Sequence, residues 1–233
     1  EGAEWMGWRC AQGRVMYVNL ELAEASCWNR IKDVYHAMGL PPRNKKNLDV
    51  WNLRGKAIPM DKLAPKLIRR AAKRNYIAIV IDPIYKVITG DENSADQMAN
   101  FCNQFDKVCC ELGCAVIYCH HHSKGSQGQK RSMDRASGSG VFARDPDAML
   151  DMIQLEIPSD MYKESKRTAW RIEGTLREFE TFEPRSIWFD YPIHRIDLVG
   201  DLQSIRIKGS AKSPQQQKEE SATVHRQKLE TAF

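Results

Sequence analysis

"YIAIVIDP" (residues 76–83) sets six apolar residues in a row, four of them β-branched, ahead of an Asp-Pro pair. A run this short, closed by polar residues and without polar alternation, reads as a parallel-sheet strand covered on both faces. Its neighbours follow the rhythm of such a sheet. "GRVMYVNLE" (13–21) is a short buried strand with a polar end. "EASCWNRIKDVYHAMG" (24–39) spaces Cys27, Ile31, Val34, Tyr35 and Met38 as one helical stripe and closes on Gly39. "LDVWNLRG" (48–55) is a strand, and "MDKLAPKLIRRAAKRN" (60–75) is a helix with the stripe Leu63, Leu67, Ile68 and Ala71, with Asp61 expected as its cap. A long helix, "SADQMANFCNQFDKVCCELG" (94–113), leads to a further buried strand, "CAVIYC" (114–119).

Strands alternating with helices predict an α/β fold, a mostly parallel sheet with flanking helices. Beyond residue 140 the pattern changes. "AMLDMIQLEI" (148–157), "KRTAWRIEGTLR" (166–177) and "SIWFDYPIHRID" (186–197) alternate as antiparallel strands do. Residues 1–208 therefore read as one core, and 209–233, polar and rich in Gln and Lys, as a linker or tail.

At 233 residues and 42% apolar content, one globular core is expected. No apolar run approaches the roughly 20 residues of a membrane span, and no targeting pattern opens the chain, so a soluble, cytoplasmic protein is expected. Seven cysteines, an odd number scattered through helices and strands, read as free thiols. The net charge of +5 is concentrated in "PPRNKKN", "KLIRRAAKR" and "SKGSQGQKRSMDR". Such clusters either meet nucleic acid and phosphates or form solvated surface.

Three of the strands end in chemistry: Glu21 after "YVNL", Asp82 after "IVI", and His120 and His121 after "VIYC". In open parallel sheets ligands bind at the carboxyl ends of the strands, which brings these side chains to one edge. An aspartate there suits Mg²⁺ held partly through water, and a second carboxylate can orient an attacking water in phosphoryl transfer. The plainer alternative is local: Asp82 caps a turn with Pro83, and Glu21 caps the following helix. A zinc reading rests on "CCELGCAVIYCHHH" (109–122), with Cys110 and Cys114 able to share a helix face. Its spacing is unlike the usual zinc pattern, and adjacent histidines on an extended segment point apart. The strand-end reading is preferred.

Taken in order, "NLE", "IVIDPIYK", "HHHSKG" and "RASGSGVFARDPDAMLDM" resemble the RecA-like ATPases of the RepA hexameric helicase type, over roughly residues 5 to 200. The resemblance implies ATP and Mg²⁺ as cofactors, with Glu21 the carboxylate that polarises water, Asp82 the acidic residue of the Mg²⁺ site, and His120 and His121 sensors of the γ-phosphate. Arg30, nine residues after Glu21, matches an arginine of the family pattern. An arginine reaching a neighbouring subunit is sought at Arg135 or Arg144. The implied assembly is a homo-oligomeric ring, a hexamer, acting on DNA.

One departure stands out: members of that family carry a strand followed by G-x-x-x-x-G-K-[ST], and no such string occurs in these 233 residues. "GSQGQKRS" (125–132) has the wrong spacing. A missing strand near the middle of the sheet would leave open hydrogen-bonding groups and apolar faces, so the isolated chain is expected to be marginal or aggregation-prone. The stretch 123–140, with four glycines, five serines and four cations, is either a disordered surface loop or a DNA-contacting element using Lys124, Lys130, Arg131 and Arg135. Three function classes remain: the partial core of a Mg²⁺-ATP-dependent DNA motor or replication protein, inactive alone; a non-hydrolysing DNA-associated regulator; and a zinc-stabilised interaction module.

Overall fold

The computed structural model describes residues 1–122 and 141–210. Lys124, Lys130, Arg131 and Arg135, and the tail from residue 211, lie outside the described residues.

The chain opens with a hairpin of β1 (Glu4–Trp5) and β2 (Trp8–Arg9). Met6 and Gly7 at its tip both have positive φ, 49° and 79°, the backbone that a tight two-residue hairpin turn requires. Four parallel strands follow: β3 (Arg14–Asn19), β4 (Leu48–Asn52), β5 (Tyr76–Asp82) and β6 (Ala115–Tyr118), in the spatial order β4-β3-β5-β6. Each connection runs through a helix: α1 (Glu24–Ala37), α2 (Met60–Ala71) and α3 (Ala95–Leu112).

Local chemistry explains the helices. In α2, Met60, Leu63, Ala64, Leu67 and Ala71 recur at three- and four-residue spacing and are all buried. Pro59 occupies its N-cap position, so Asp61, expected as the cap, lies inside the first turn, where its charge still complements the helix dipole. α3 is capped by Ser94, whose side chain accepts from the Gln97 N–H, and ends at Gly113 in the left-handed conformation. That ending puts Cys114 beyond the helix, so Cys110 and Cys114 do not share a helical face.

Register divides the sheet into two faces. Met16, Val18, Leu20, Ile79 and Ile81 point toward α2 and α3 and are at most 2% exposed; with Leu63, Leu67, Met98, Phe101 and Phe105 they form the main core. The opposite face carries the rows Val15–Leu48–Ala78–Ala115 and Tyr17–Val50–Val80–Ile117. Here α1 covers the β3–β4 side, with Cys27 as its one fully buried residue. Val80 is half-buried, and Ile117 is 51% exposed. The expectation that β5 is covered on both faces is therefore met on one face and half met on the other, because α1 does not reach across β5 and β6.

A second sheet is antiparallel, in the order β10-β9-β8-β7, built from β7 (Ala148–Gln154), β8 (Thr168–Leu176), β9 (Arg185–Asp190) and β10 (Ile193–Ile196). The N-terminal hairpin packs on it: Met6 joins Ile172 and Ile187 in a small core, Trp8 meets Phe182 edge-on at 4.9 Å, and the Arg185 guanidinium lies 3.9 Å from the Trp8 ring centre while donating to the Met6 carbonyl.

The four parallel strands pair without a gap. Their order is β4-β3-β5-β6. β6 and β7 are both edge strands, and they approach each other through His122 Nε2 and Asp151 Oδ1, 3.1 Å apart. Among the described residues no helix is long and apolar enough to cross a membrane.

Candidate functional site

The C-terminal ends of β3, β4 and β5 align Asn19, Asn52 and Asp82 in one row. Asn19 is 1% exposed, and its carboxamide is fully used. Nδ2 donates to Asn52 Oδ1 and to the Leu22 carbonyl, both at 2.8 Å, and Oδ1 accepts from the Leu22 N–H at 2.9 Å and the Glu21 N–H at 3.3 Å. A buried amide with every polar atom partnered can fix a chain reversal at little cost. This one turns the backbone out of β3 and carries Glu21 to the surface. Sequence reading missed Asn19; the available signal was that β3 and β4 both end in asparagine.

Asp82 is held by neutral donors. The Tyr17 hydroxyl donates to its Oδ2 at 2.6 Å. Burial, then the hydrogen bond to Asp82 and its charge, push the Tyr17 hydroxyl far above its ordinary titration range, so it remains a donor. Cys119 is brought alongside by the continued ladder, its N–H donating to the Ile81 carbonyl and its own carbonyl accepting from the Ile84 N–H, each at 3.0 Å. Desolvation first, then the charge of Asp82 and a hydrogen bond to it, push the Cys119 thiol up to about 11. No lysine or arginine neutralises Asp82 among the described residues. A carboxylate with two neutral donors and no cationic partner among the described residues suits a hydrated Mg²⁺.

Glu21 is exposed, and Tyr85 links it to the histidines. The Tyr85 hydroxyl donates to Glu21 Oε1 at 3.3 Å, and its ring lies 5.5 Å from that of His121. Lys86 Nζ stands 4.8 Å from the Tyr85 ring centre. The arrangement follows from the short 3-10 turn Ile84–Lys86: Ile84 is fully buried in the main core, which turns the next two side chains outward. Tyr85 and Lys86 were legible only as residues next to the Asp-Pro pair.

Arg30, on α1, lines a cavity of about 420 Å³ with Glu21, Asp82 and Tyr17, whose remaining wall includes Leu22, Cys27, Ile31 and Leu48. His120 is half-buried and His121 exposed. Arg144 ends the short helix Val141–Arg144 with an exposed side chain, and it is not among the residues lining the cavity of Glu21, Arg30 and Asp82. The three histidines go separate ways: His121 meets Tyr85, and His122 pairs with Asp151, which is 4% exposed. Among the described residues no group of three or more His, Cys, Asp or Glu side chains can hold a metal ion.

A parallel sheet with helices on both faces, and carboxylates and histidines collected at its C-terminal edge, is an open α/β architecture of the kind that binds ligands at its strand ends. The family described as AAA domain matches residues 1–127, just over half of the 233, and the chain belongs to that family. This family match supports an ATPase-like, AAA-type domain. The match spans β1 to β6 and contains Glu21, Arg30, Asp82, His120 and His121; Arg135, Arg144 and the antiparallel sheet lie beyond it. A search of curated proteins finds no match.

Proposed function

We propose that this chain forms part of a Mg²⁺-ATP-dependent motor or replication protein that acts on DNA as a homo-oligomeric ring, of the RepA hexameric helicase type. The observation that carries the reading is the convergence of Glu21, Asp82 and His121 at the ends of three adjacent parallel strands, with Tyr85 joining the first to the last. In this reading Asp82 holds Mg²⁺ partly through water, Glu21 orients and polarises the attacking water, and His120 and His121 respond to the γ-phosphate. Arg30 faces the same cavity as Glu21 and Asp82 and adds positive charge near the phosphates. Lys124, Lys130, Arg131 and Arg135 supply a sequence-independent DNA contact, and Arg135 or Arg144 serves the nucleotide of a neighbouring subunit.

The phosphate-holding loop is the part these residues do not supply, since no G-x-x-x-x-G-K-[ST] string occurs among them. Hydrolysis is accordingly expected of the full-length gene product and not of the 233 residues alone.

The test is Glu21→Gln in the full-length gene product, with DNA-stimulated ATP hydrolysis and ATP binding measured side by side. Turnover falls on the order of 10²-fold or more while binding persists; near-normal turnover removes Glu21 from the mechanism. The absent phosphate-loop string also favours a second reading, a DNA-associated regulator that does not hydrolyse nucleotide. DNA binding without turnover by the wild-type full-length product establishes that alternative.

A further inference from the structure

Glu21 stands at the boundary of two cavities. The second, of about 500 Å³, shares Glu21 with the first but not Asp82, and is lined by Leu20, Glu21, Arg54, Gly55, Ala57 and Lys86. Its two cations come from different connections, Arg54 from the turn after β4 and Lys86 from the turn after β5. Neither has a carboxylate partner among the described residues, and Glu21 already accepts from Tyr85. Two cations without a carboxylate partner among the described residues, beside one engaged carboxylate, leave the cavity lining with a positive balance.

The backbone on both sides is fixed before any ligand arrives. Leu53 is 8% exposed, its N–H donates to the Asn19 carbonyl at 2.8 Å, and the Lys56 N–H closes the turn onto the Leu53 carbonyl at 2.8 Å. Gly55 inside that turn has φ +73°, and a Cβ there would meet nothing within 4 Å, so the backbone itself borders open space. Lys86 sits between Ile84 and Val87, both at most 1% exposed, and its ammonium rests above the Tyr85 ring. Cations presented from anchored turns lose less freedom on binding an anion than free surface lysines do.

We infer that Arg54 and Lys86, with the open backbone at Gly55, form a phosphate-oxyanion subsite beside Glu21. The guanidinium supplies paired N–H donors to a phosphate and the ammonium a point charge. The phosphate comes either from the polyphosphate of a nucleotide or from the backbone of a single-stranded DNA, and the chemistry at Arg54 and Lys86 is the same for both. The inference rests on the nucleotide-and-DNA reading for the source of its phosphate; its test is a binding measurement that needs no turnover, so loss of activity on changing Glu21 and loss of this subsite are separate results.

The experiment compares the full chain with Arg54→Ala/Lys86→Ala, and with Lys32→Ala/Lys107→Ala as a control that removes the same charge from exposed positions on α1 and α3. Tripolyphosphate binding is followed by calorimetry, and binding of a fluorescein-labelled oligothymidylate by anisotropy over a salt series. Matched thermal melts establish that the variants are folded. The expected result is about a tenfold or greater loss of affinity in the Arg54/Lys86 variant for at least one probe, with the control close to wild type. If the oligonucleotide alone is affected, its salt slope also falls by about one to two and the source is DNA; loss for tripolyphosphate alone assigns the nucleotide, and loss for both assigns a subsite open to either. No binding of either probe by the wild type, unchanged affinities in the variant, or an equal loss in the control overturns the inference.

Discussion

Alternate residues of the same strands meet opposite surroundings in this molecule. On β5, Ile79 and Ile81 are fully buried beneath α2 and α3, whereas Ala78, Val80 and Asp82 face the side that α1 covers only in part. The strand does not differ between the two faces; the helices do. α2 and α3 bring two dense apolar stripes to one face, while α1 brings Cys27 and a row of half-buried residues to the other. The closed face holds the fold together, and the half-open face leaves room for the cavity in which Glu21, Arg30 and Asp82 meet.

The two ends of the sheet repeat this division with carboxylates. At the N-terminal edge, Asp49 accepts from Arg14 Nε at 2.9 Å, from Arg74 at 3.3 Å and from the Tyr76 hydroxyl at 2.5 Å. Burial by itself would raise the Asp49 carboxyl, but the Tyr76 hydrogen bond and the Arg14 and Arg74 charges together hold it below the usual carboxylate range. Among the described residues Asp82, at the C-terminal edge, has only neutral donors. One carboxylate is paired with cations, and the other has no cationic partner among the described residues.

The largest effect that tests this contrast is on stability. Ile79→Ala opens a cavity in the main core and should cost about 3 kcal/mol, within the range for buried aliphatic truncations. Val80→Ala, one residue away on the half-open face, should cost about 1 kcal/mol or less, since less apolar area is withdrawn from water. Urea midpoints at constant m-value measure both; equal shifts would mean that the two faces bear the same load.

A smaller effect separates the two sheet ends by pH. Because the Asp49 carboxyl is held low in the folded state, its contribution to stability is present above the unfolded value of about 4 and is lost as pH falls through the lower folded value. Asn at position 49 should therefore lower stability near neutrality and flatten the fall of stability with acid. An acid limb as steep as that of the wild type would show that Asp49 does not carry it.

The smallest effect concerns Cys119. Asp82→Asn removes the negative charge that helps to raise this thiol and leaves only a weaker carboxamide acceptor, while the larger contribution, desolvation, stays. Thiolate should become more available, and alkylation of Cys119 by iodoacetamide near pH 8, followed by peptide mass spectrometry, should quicken by a few-fold. An unchanged rate would place Asp82 out of electrical contact with the thiol.

Much of this molecule could be read locally. The apolar run of β5, the stripe of α2, Ser94 ahead of α3 and Gly113 behind it each signal through residues within one or two turns of each other, so periodicity and capping chemistry were enough. The convergence of Glu21, Asp82 and the histidines was also legible, because strands alternating with helices bring carboxyl ends to one edge. The sequence by itself thus determined the class of fold, the ends of α3 and the edge at which the chemistry collects, whereas the cap of α2 fell at Pro59 and not at Asp61. Only the tertiary structure decided that Tyr17 reaches Asp82 across 65 positions, that Tyr85 reaches Glu21 across 64, that His122 leaves its neighbours for Asp151, and that α1 leaves half of one face open. Those outcomes depend on strand register and helix placement, where the partners lie far apart along the chain and a shift of one residue in pairing sends every side chain to the other face.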